Sequence, residues 1–241
     1  MKLSNNTILI TGGTSGIGLE LGKALLKSNN TVILLGRNRT KLDALKLAGF
    51  ETICCDLNKQ SDIEKTAILI QNKFPKLNML FNNAGVQYNY AFSENLLPPD
   101  KITQEININV TGQIVLTQLL IPLLSTNHSF IINTTSGLGA FPKSDGLVYS
   151  ACKAAMRNFT TGLRYSLKHT GIKVLEFIPP VTETNMTRGR AEQKMTTAEL
   201  VKKIVPQLQK EKKILTVFKM RIFLWITFLM PSLAYGILEK S

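Results

Sequence analysis

The chain has 241 residues, 44% of them hydrophobic, with 29 Lys and Arg against 16 Asp and Glu, a formal net charge of +13. That length suits one α/β domain (residues 1–241), and no Gly-, Ser- or Pro-rich tract, repeat or low-complexity stretch marks a linker. His128 and His169 stand apart from Cys54, Cys55 and Cys152, so no metal site is expected, and no binding motif accompanies the basic charge to suggest nucleic acid.

In chain order, Thr7–Ile10 is a short apolar run, and the glycine-rich TGGTSGIG at 11–18 follows it into a helix over Gly16–Ser28. Strand-like Thr31–Leu35 precedes a helix at Thr40–Ala48. Glu51–Cys55 is the third such run, and its neighbours Cys54 and Cys55 are expected to point to opposite faces, which makes them poor partners for each other. A helix at Ser61–Phe74 leads to Met79–Phe81, and a long helix is expected over Asp100–Leu124. Phe130–Asn133, a helix at Tyr149–His169 and Lys173–Ile178 continue the rhythm. A polar stretch then leads to a helix near Thr197–Lys210, a last strand at Ile214–Phe218 and an uncharged run at Ile222–Leu238. Apolar runs without alternation suit strands buried on both faces, and their alternation with helices predicts a doubly wound parallel sheet.

The glycine turn is the first chemical signal. Gly12, Gly16 and Gly18 allow a tight turn, close approach of backbone to a pyrophosphate, and close helix–strand packing. The helix that opens there presents free N–H groups and its positive dipole end to phosphate. Gly36 ends the second strand where an acid would bond a ribose diol, and the guanidinium of Arg37 next to it suits a 2′-phosphate. NADP(H) is therefore favoured over NAD(H).

Three motifs in order, TGxxxGxG at 11–18, NNAG at 82–85 and YxxxK at 149–153, give the chain its resemblance to the short-chain dehydrogenase/reductase family, from about Thr7 to Thr184. The resemblance implies a Rossmann-type sheet of about seven strands, to which this chain's own uncharged tail adds an apolar C-terminal helix. It also implies an NAD(P)(H)-dependent enzyme that interconverts an alcohol with a ketone or aldehyde. On the turn it puts Thr14, Ser15 and Ile17 beside the cofactor with the three glycines. Asp56 matches the adenine-contacting acid, with Leu57 beside it. Asn83, Ala84 and Gly85 line the nucleoside side, whereas Asn82 reads equally as a tie between strands. Pro179 and Thr184 close the nicotinamide end.

For the chemistry, Lys153 lies one helical turn beyond Tyr149, on the same face. Its charge favours the phenolate, so Tyr149 is expected to act as acid and base with its pKa drawn toward the working pH. The resemblance adds Ser136, thirteen residues before Tyr149, as a hydrogen-bond donor to the substrate oxygen. Lys153 would also bond the ribose hydroxyls. Asn109, in INVTG, would hold a water that relays protons to Lys153, with Asn107 the residue it could be mistaken for.

The chain departs from the pattern in two places. Pro179-Pro180 stands where the family has Pro-Gly, and Pro180 has neither an N–H nor access to positive φ. The Ile222–Leu238 tail, which contains Pro231 and follows Lys212, Lys213, Lys219 and Arg221, reads as a membrane span, an interfacial anchor or a packed helix. A packed helix is preferred, because an apolar run of that length is more often core than membrane. A small carbonyl or alcohol substrate, a homodimer or homotetramer, and a cytoplasmic location with a possible peripheral membrane contact complete the expectations. Two alternatives stay open: a nucleotide-binding redox sensor without turnover, and a lipid carbonyl reductase at a membrane face.

Overall fold

The computed structural model of the protein describes residues 1–90, 92–93 and 96–232. Seven strands form one parallel sheet: β1 (Thr7–Thr11), β2 (Thr31–Gly36), β3 (Glu51–Cys54), β4 (Leu77–Asn82), β5 (Ser129–Thr134), β6 (Ile172–Ile178) and β7 (Ile214–Thr216). Their order is β3-β2-β1-β4-β5-β6-β7. The chain runs outward from β1 to β3, then returns to the other side of β1 with β4. The crevice outside the carboxyl ends of β1 and β4 is thus the switch point of a doubly wound sheet, the place where such folds hold ligands.

Helices cover both faces, and strand residues alternate between them. Ile8, Ile10, Val32 and Leu34 pack with Leu21 and Leu25 of α1 (Gly16–Leu26) and with Leu200 and Ile204 of α7 (Thr197–Gln209). Leu9, Ile33 and Leu35 turn the other way, toward Ile63 and Ile70 of α3 (Gln60–Lys73) and Leu116 and Leu120 of α5 (Gly112–Ser125). Leu163 of α6 (Leu147–Ser166) joins that second layer. The central strands β1, β4 and β5 are covered on both faces, which is why their runs read as apolar without alternation. The helix α2 (Arg39–Leu47) follows β2, its first turn capped by Asn38, whose side chain accepts the Lys41 N–H.

Three expectations need correction. The helix expected over Asp100–Leu124 is two helices, α4 (Pro99–Ile106) and α5, joined by a π-helical turn at Asn107–Thr111. Its cause is local: the Asn109 side chain takes the Glu105 carbonyl at 2.9 Å and holds the ladder open. The last strand stops at Thr216, two residues short of Phe218, where α8 (Phe218–Leu229) begins. That helix starts four residues before the expected Ile222, and the expected stretch 233–238 lies outside the described residues.

The run Pro99–Ser125 is long and apolar enough to cross a membrane by length and composition. Here it lies over the sheet, with Leu116, Leu120 and Leu124 fully buried. Cys54 is exposed, Cys55 and Cys152 are buried, and all three are free.

Candidate active site

The cavity at the switch point begins with the glycine turn. Gly12 has φ +65°, in the left-handed region, and a Cβ there would come within 2.8 Å of the Ala84 Cα. Gly18 lies one turn into α1, where a Cβ would meet Asn83 Nδ2 at 2.5 Å and the Gly12 carbonyl at 2.6 Å. It is the packing glycine and does not line the cavity. Thr11 clamps the two strand ends, its hydroxyl accepting the N–H groups of Asn83 and Ala84 at 2.9 Å each and donating to the Phe81 carbonyl at 3.3 Å.

The cavity has a volume of about 340 Å³, within the range of small-molecule sites. Gly12, Thr14, Ser15, Gly16 and Ile17 floor it. Arg37, Asp56 and Leu57 wall one end, Asn83, Ala84 and Gly85 the middle, and Tyr149, Lys153, Pro179 and Thr184 the other. Despite Pro180, the loop brings Thr184 against the turn: a Cβ on Gly16 would lie 3.1 Å from its methyl. Val86, Ile108, Thr134, Asn185 and Met186 also line the cavity. Fully buried Asn82 lies off the lining, where its Nδ2 donates to Thr117 Oγ1 and Asn133 Oδ1 at 2.8 Å each.

At the Arg37 end of the cavity, Arg37 Nη1 stands 3.9 Å from Asp56 Oδ1, with about half of the arginine side chain exposed. A pair this open is weakly held, so the guanidinium is free to swing to a ligand.

At the other end α6 carries Tyr149 and Lys153, both buried. The Lys153 ammonium lies 5.4 Å from the centre of the Tyr149 ring and donates to the Thr134 carbonyl at 2.9 Å. Burial pulls its pKa down to about 8, which leaves it mostly charged at neutrality. Burial also pushes the Tyr149 phenol above its ordinary value. The charge of Arg190 and a hydrogen bond from Ser136 oppose that rise, while Glu105 adds to it. Burial outweighs the groups that favour the phenolate, so the phenol stands above its ordinary range and not below it.

Ser136 caps the short turn Gly137–Gly139, its hydroxyl accepting the Leu138 N–H at 3.1 Å. Asn109 is buried beneath the cavity, its Nδ2 donating to the carbonyls of Val86 (2.8 Å) and Glu105 (2.9 Å). Its Oδ1 has no partner among the described residues. A methyl on Gly85 would lie 2.8 Å from that oxygen and 3.8 Å from Lys153 Nζ, so the two groups flank one glycine. Asn107 donates instead to Asn58, at 3.1 Å.

The tail helix α8 packs against the segment after Ser136. Phe223 meets Phe141 edge to face at 4.5 Å, and a Cβ on Gly137 would lie 2.9 Å from the Met220 sulfur.

A parallel sheet with a glycine-turn cavity at its switch point, and a Tyr/Lys pair opening onto that cavity, defines a dinucleotide-binding α/β protein. The family model described as short chain dehydrogenase matches residues 6–195. The chain belongs to the short-chain dehydrogenase family of NAD(P)-dependent oxidoreductases.

Among its relatives is the oxidoreductase DltE of Bacillus subtilis, 37% identical over 200 residues, which cover 81% of this chain and 79% of that one. The serine 3-dehydrogenase of Agrobacterium fabrum is 32% identical over 189 residues, 77% of this chain and 76% of that one. A short-chain dehydrogenase of Burkholderia cenocepacia, solved in complex with NADP, shares the fold at a TM-score of 0.89, 21% identity and 99% coverage of both chains.

Proposed function

We propose that the protein is an NADP(H)-dependent oxidoreductase that interconverts a small ketone or aldehyde with its alcohol. The carrying observation is that Tyr149 and Lys153 open onto the same cavity that Gly12–Gly16 floor and Arg37 walls. A dinucleotide would be held there by the turn and the amino end of α1 at its pyrophosphate, by Lys153 at its ribose hydroxyls and by Arg37 at a 2′-phosphate. When bound it supplies or accepts the hydride.

The chain's own residues handle the proton. Tyr149 donates it to the substrate oxygen in reduction and takes it back in oxidation. Ser136 donates a hydrogen bond to the same oxygen and stabilises the charge that gathers there. Asn109, facing Lys153 across Gly85, orients water on the path that returns the proton. The substrate would sit at the Tyr149 end of the cavity, where Met186 makes part of the lining apolar.

Tyr149→Phe is expected to lower turnover by about 10²–10⁴-fold while leaving NADPH binding within a factor of a few. The assay is NADPH oxidation or NADP⁺ reduction against a panel that includes L-serine, 3-hydroxy acids and aromatic aldehydes. A variant with near wild-type turnover would remove Tyr149 from this role. Nucleotide binding without turnover of any panel member would favour the redox-sensor reading.

The same reading makes the protein a cytoplasmic homodimer or homotetramer. It would assemble through the α5 and α6 faces, where Leu119, Ile121 and Leu123 are only partly buried.

A further inference from the structure

One fully buried carboxyl has no part in the scheme above. Glu105, near the end of α4, has no solvent exposure. Its Oε1 accepts the Tyr88 N–H at 3.2 Å, and its Oε2 is buried without a partner among the described residues. No cation pairs with it among those residues. Its main-chain carbonyl has two partners, accepting Asn109 Nδ2 at 2.9 Å and the Cys152 thiol at 3.9 Å. The residue is thus held between the π turn and the helix that carries Tyr149 and Lys153.

The titratable groups around it come from each packed element. Tyr88 and Tyr90 belong to the segment after β4, and the Tyr90 hydroxyl is likewise buried and unpartnered among the described residues. Tyr149 and Cys152 belong to α6. Glu105 raises both of them, as well as Tyr90, through its charge. Arg190 acts on Tyr149 from the loop after β6, with the opposite sign.

A carboxylate with one hydrogen bond and no counter-charge is costly to bury, whereas the neutral acid is not. We propose that Glu105 is held as a neutral acid against the helix that carries Tyr149, and that its charge state sets how readily Tyr149 releases its proton. The proposal rests on the reading of Tyr149 as acid and base. Neutral Glu105 leaves burial as the main opponent of Arg190 and Ser136, and ionised Glu105 adds to that opposition. Glu105 does not touch the reacting atoms, and it acts as a positioning residue through Tyr149.

The linkage has a definite sign. Burial raises Glu105 from 4.5 to about 7. Its contribution to stability is therefore complete below about pH 4.5 and is lost as pH rises through about 7.

The test uses full-length protein, Glu105→Gln and Tyr149→Phe. The glutamine keeps an acceptor for the Tyr88 N–H and cannot ionise. With ¹³C-labelled glutamate and tyrosine, one wild-type glutamate carboxyl should titrate near pH 7. The Tyr149 Cζ resonance, identified by its absence in Tyr149→Phe, should inflect at the same pH. Both effects should vanish in Glu105→Gln, whose melting temperature should also lose less than that of wild type between about pH 5 and pH 7.

Glutamate carboxyls that all titrate in the ordinary range, or a Tyr149 resonance indifferent to the step near pH 7, would overturn the proposal. If Glu105→Gln does not fold, the wild-type and Tyr149→Phe spectra alone still decide it. A Tyr149→Phe enzyme with full turnover would instead refute the proposed function and leave the carboxyl titration unexplained by it.

Discussion

Lys153 holds an ammonium where almost no water reaches it, at 2% exposure. The Thr134 carbonyl compensates one of its three N–H groups, leaving two for a ligand in the cavity. At the far end of the cavity Arg37 is the reverse case, a guanidinium half in solvent and 3.9 Å from its one acid partner. If Arg37 reads a 2′-phosphate, its worth is that of hydrogen bonds to a charged group, about 1.5–3 kcal/mol. Arg37→Ala should then weaken NADPH by about 10–100-fold and leave NADH nearly unchanged in a fluorescence titration. Equal losses for both nucleotides would take Arg37 out of that role.

Among the elements, the π turn at Asn107–Thr111 and the β4–β5 tie do the positioning. A continuous α-helix would use the Glu105 carbonyl for its own ladder, and here the Asn109 side chain takes that carbonyl and brings Asn109 beneath the cavity. Asn82 joins β4 to β5 and α5 at the carboxyl end of the sheet, next to the NNAG segment. Asn82→Ala would leave Asn133 Oδ1 buried without its donor, a cost of about 1–3 kcal/mol. A melting temperature lowered by about 5 °C, with weaker dinucleotide binding, is expected. An unchanged melting curve would show that water replaces the tie. On α8 the inward residues Met220, Phe223 and Thr227 meet the body of the protein, while Phe218, Ile222, Trp225 and Leu229 form an exposed apolar stripe on the opposite side.

On the scale of the whole molecule, the cavity is shared by the ends of β1, β2, β3, β4, β5 and β6 and by the start of α1. A ligand that bridges so many elements binds the folded state alone and stabilises it by mass action, about 2.7 kcal/mol at a hundredfold excess over Kd. For a domain of this size that corresponds to a rise of roughly 5–10 °C in melting temperature. NADPH should produce it, and NADH a smaller one at equal concentration. A shift absent for both nucleotides would contradict a preformed dinucleotide site.

The alternation of apolar runs with helix-length segments determined the α/β class and the approximate bounds of all seven strands, because strands buried on both faces must be apolar throughout. The glycine turn and the Tyr149–Lys153 spacing likewise followed from residue chemistry, since positive φ and a one-turn separation are local properties. Only the tertiary structure decided the rest. The break in the helix expected over Asp100–Leu124 depends on a side chain reaching its own backbone, and Glu105 looks like any helical glutamate until its surroundings are known. Whether Tyr149 is raised or lowered depends on the sum of burial, Arg190, Ser136 and Glu105, groups that lie far apart in the chain and meet only when the sheet closes over them. Periodicity records which face of an element is apolar, whereas desolvation and charge act through distance, which a linear sequence does not contain.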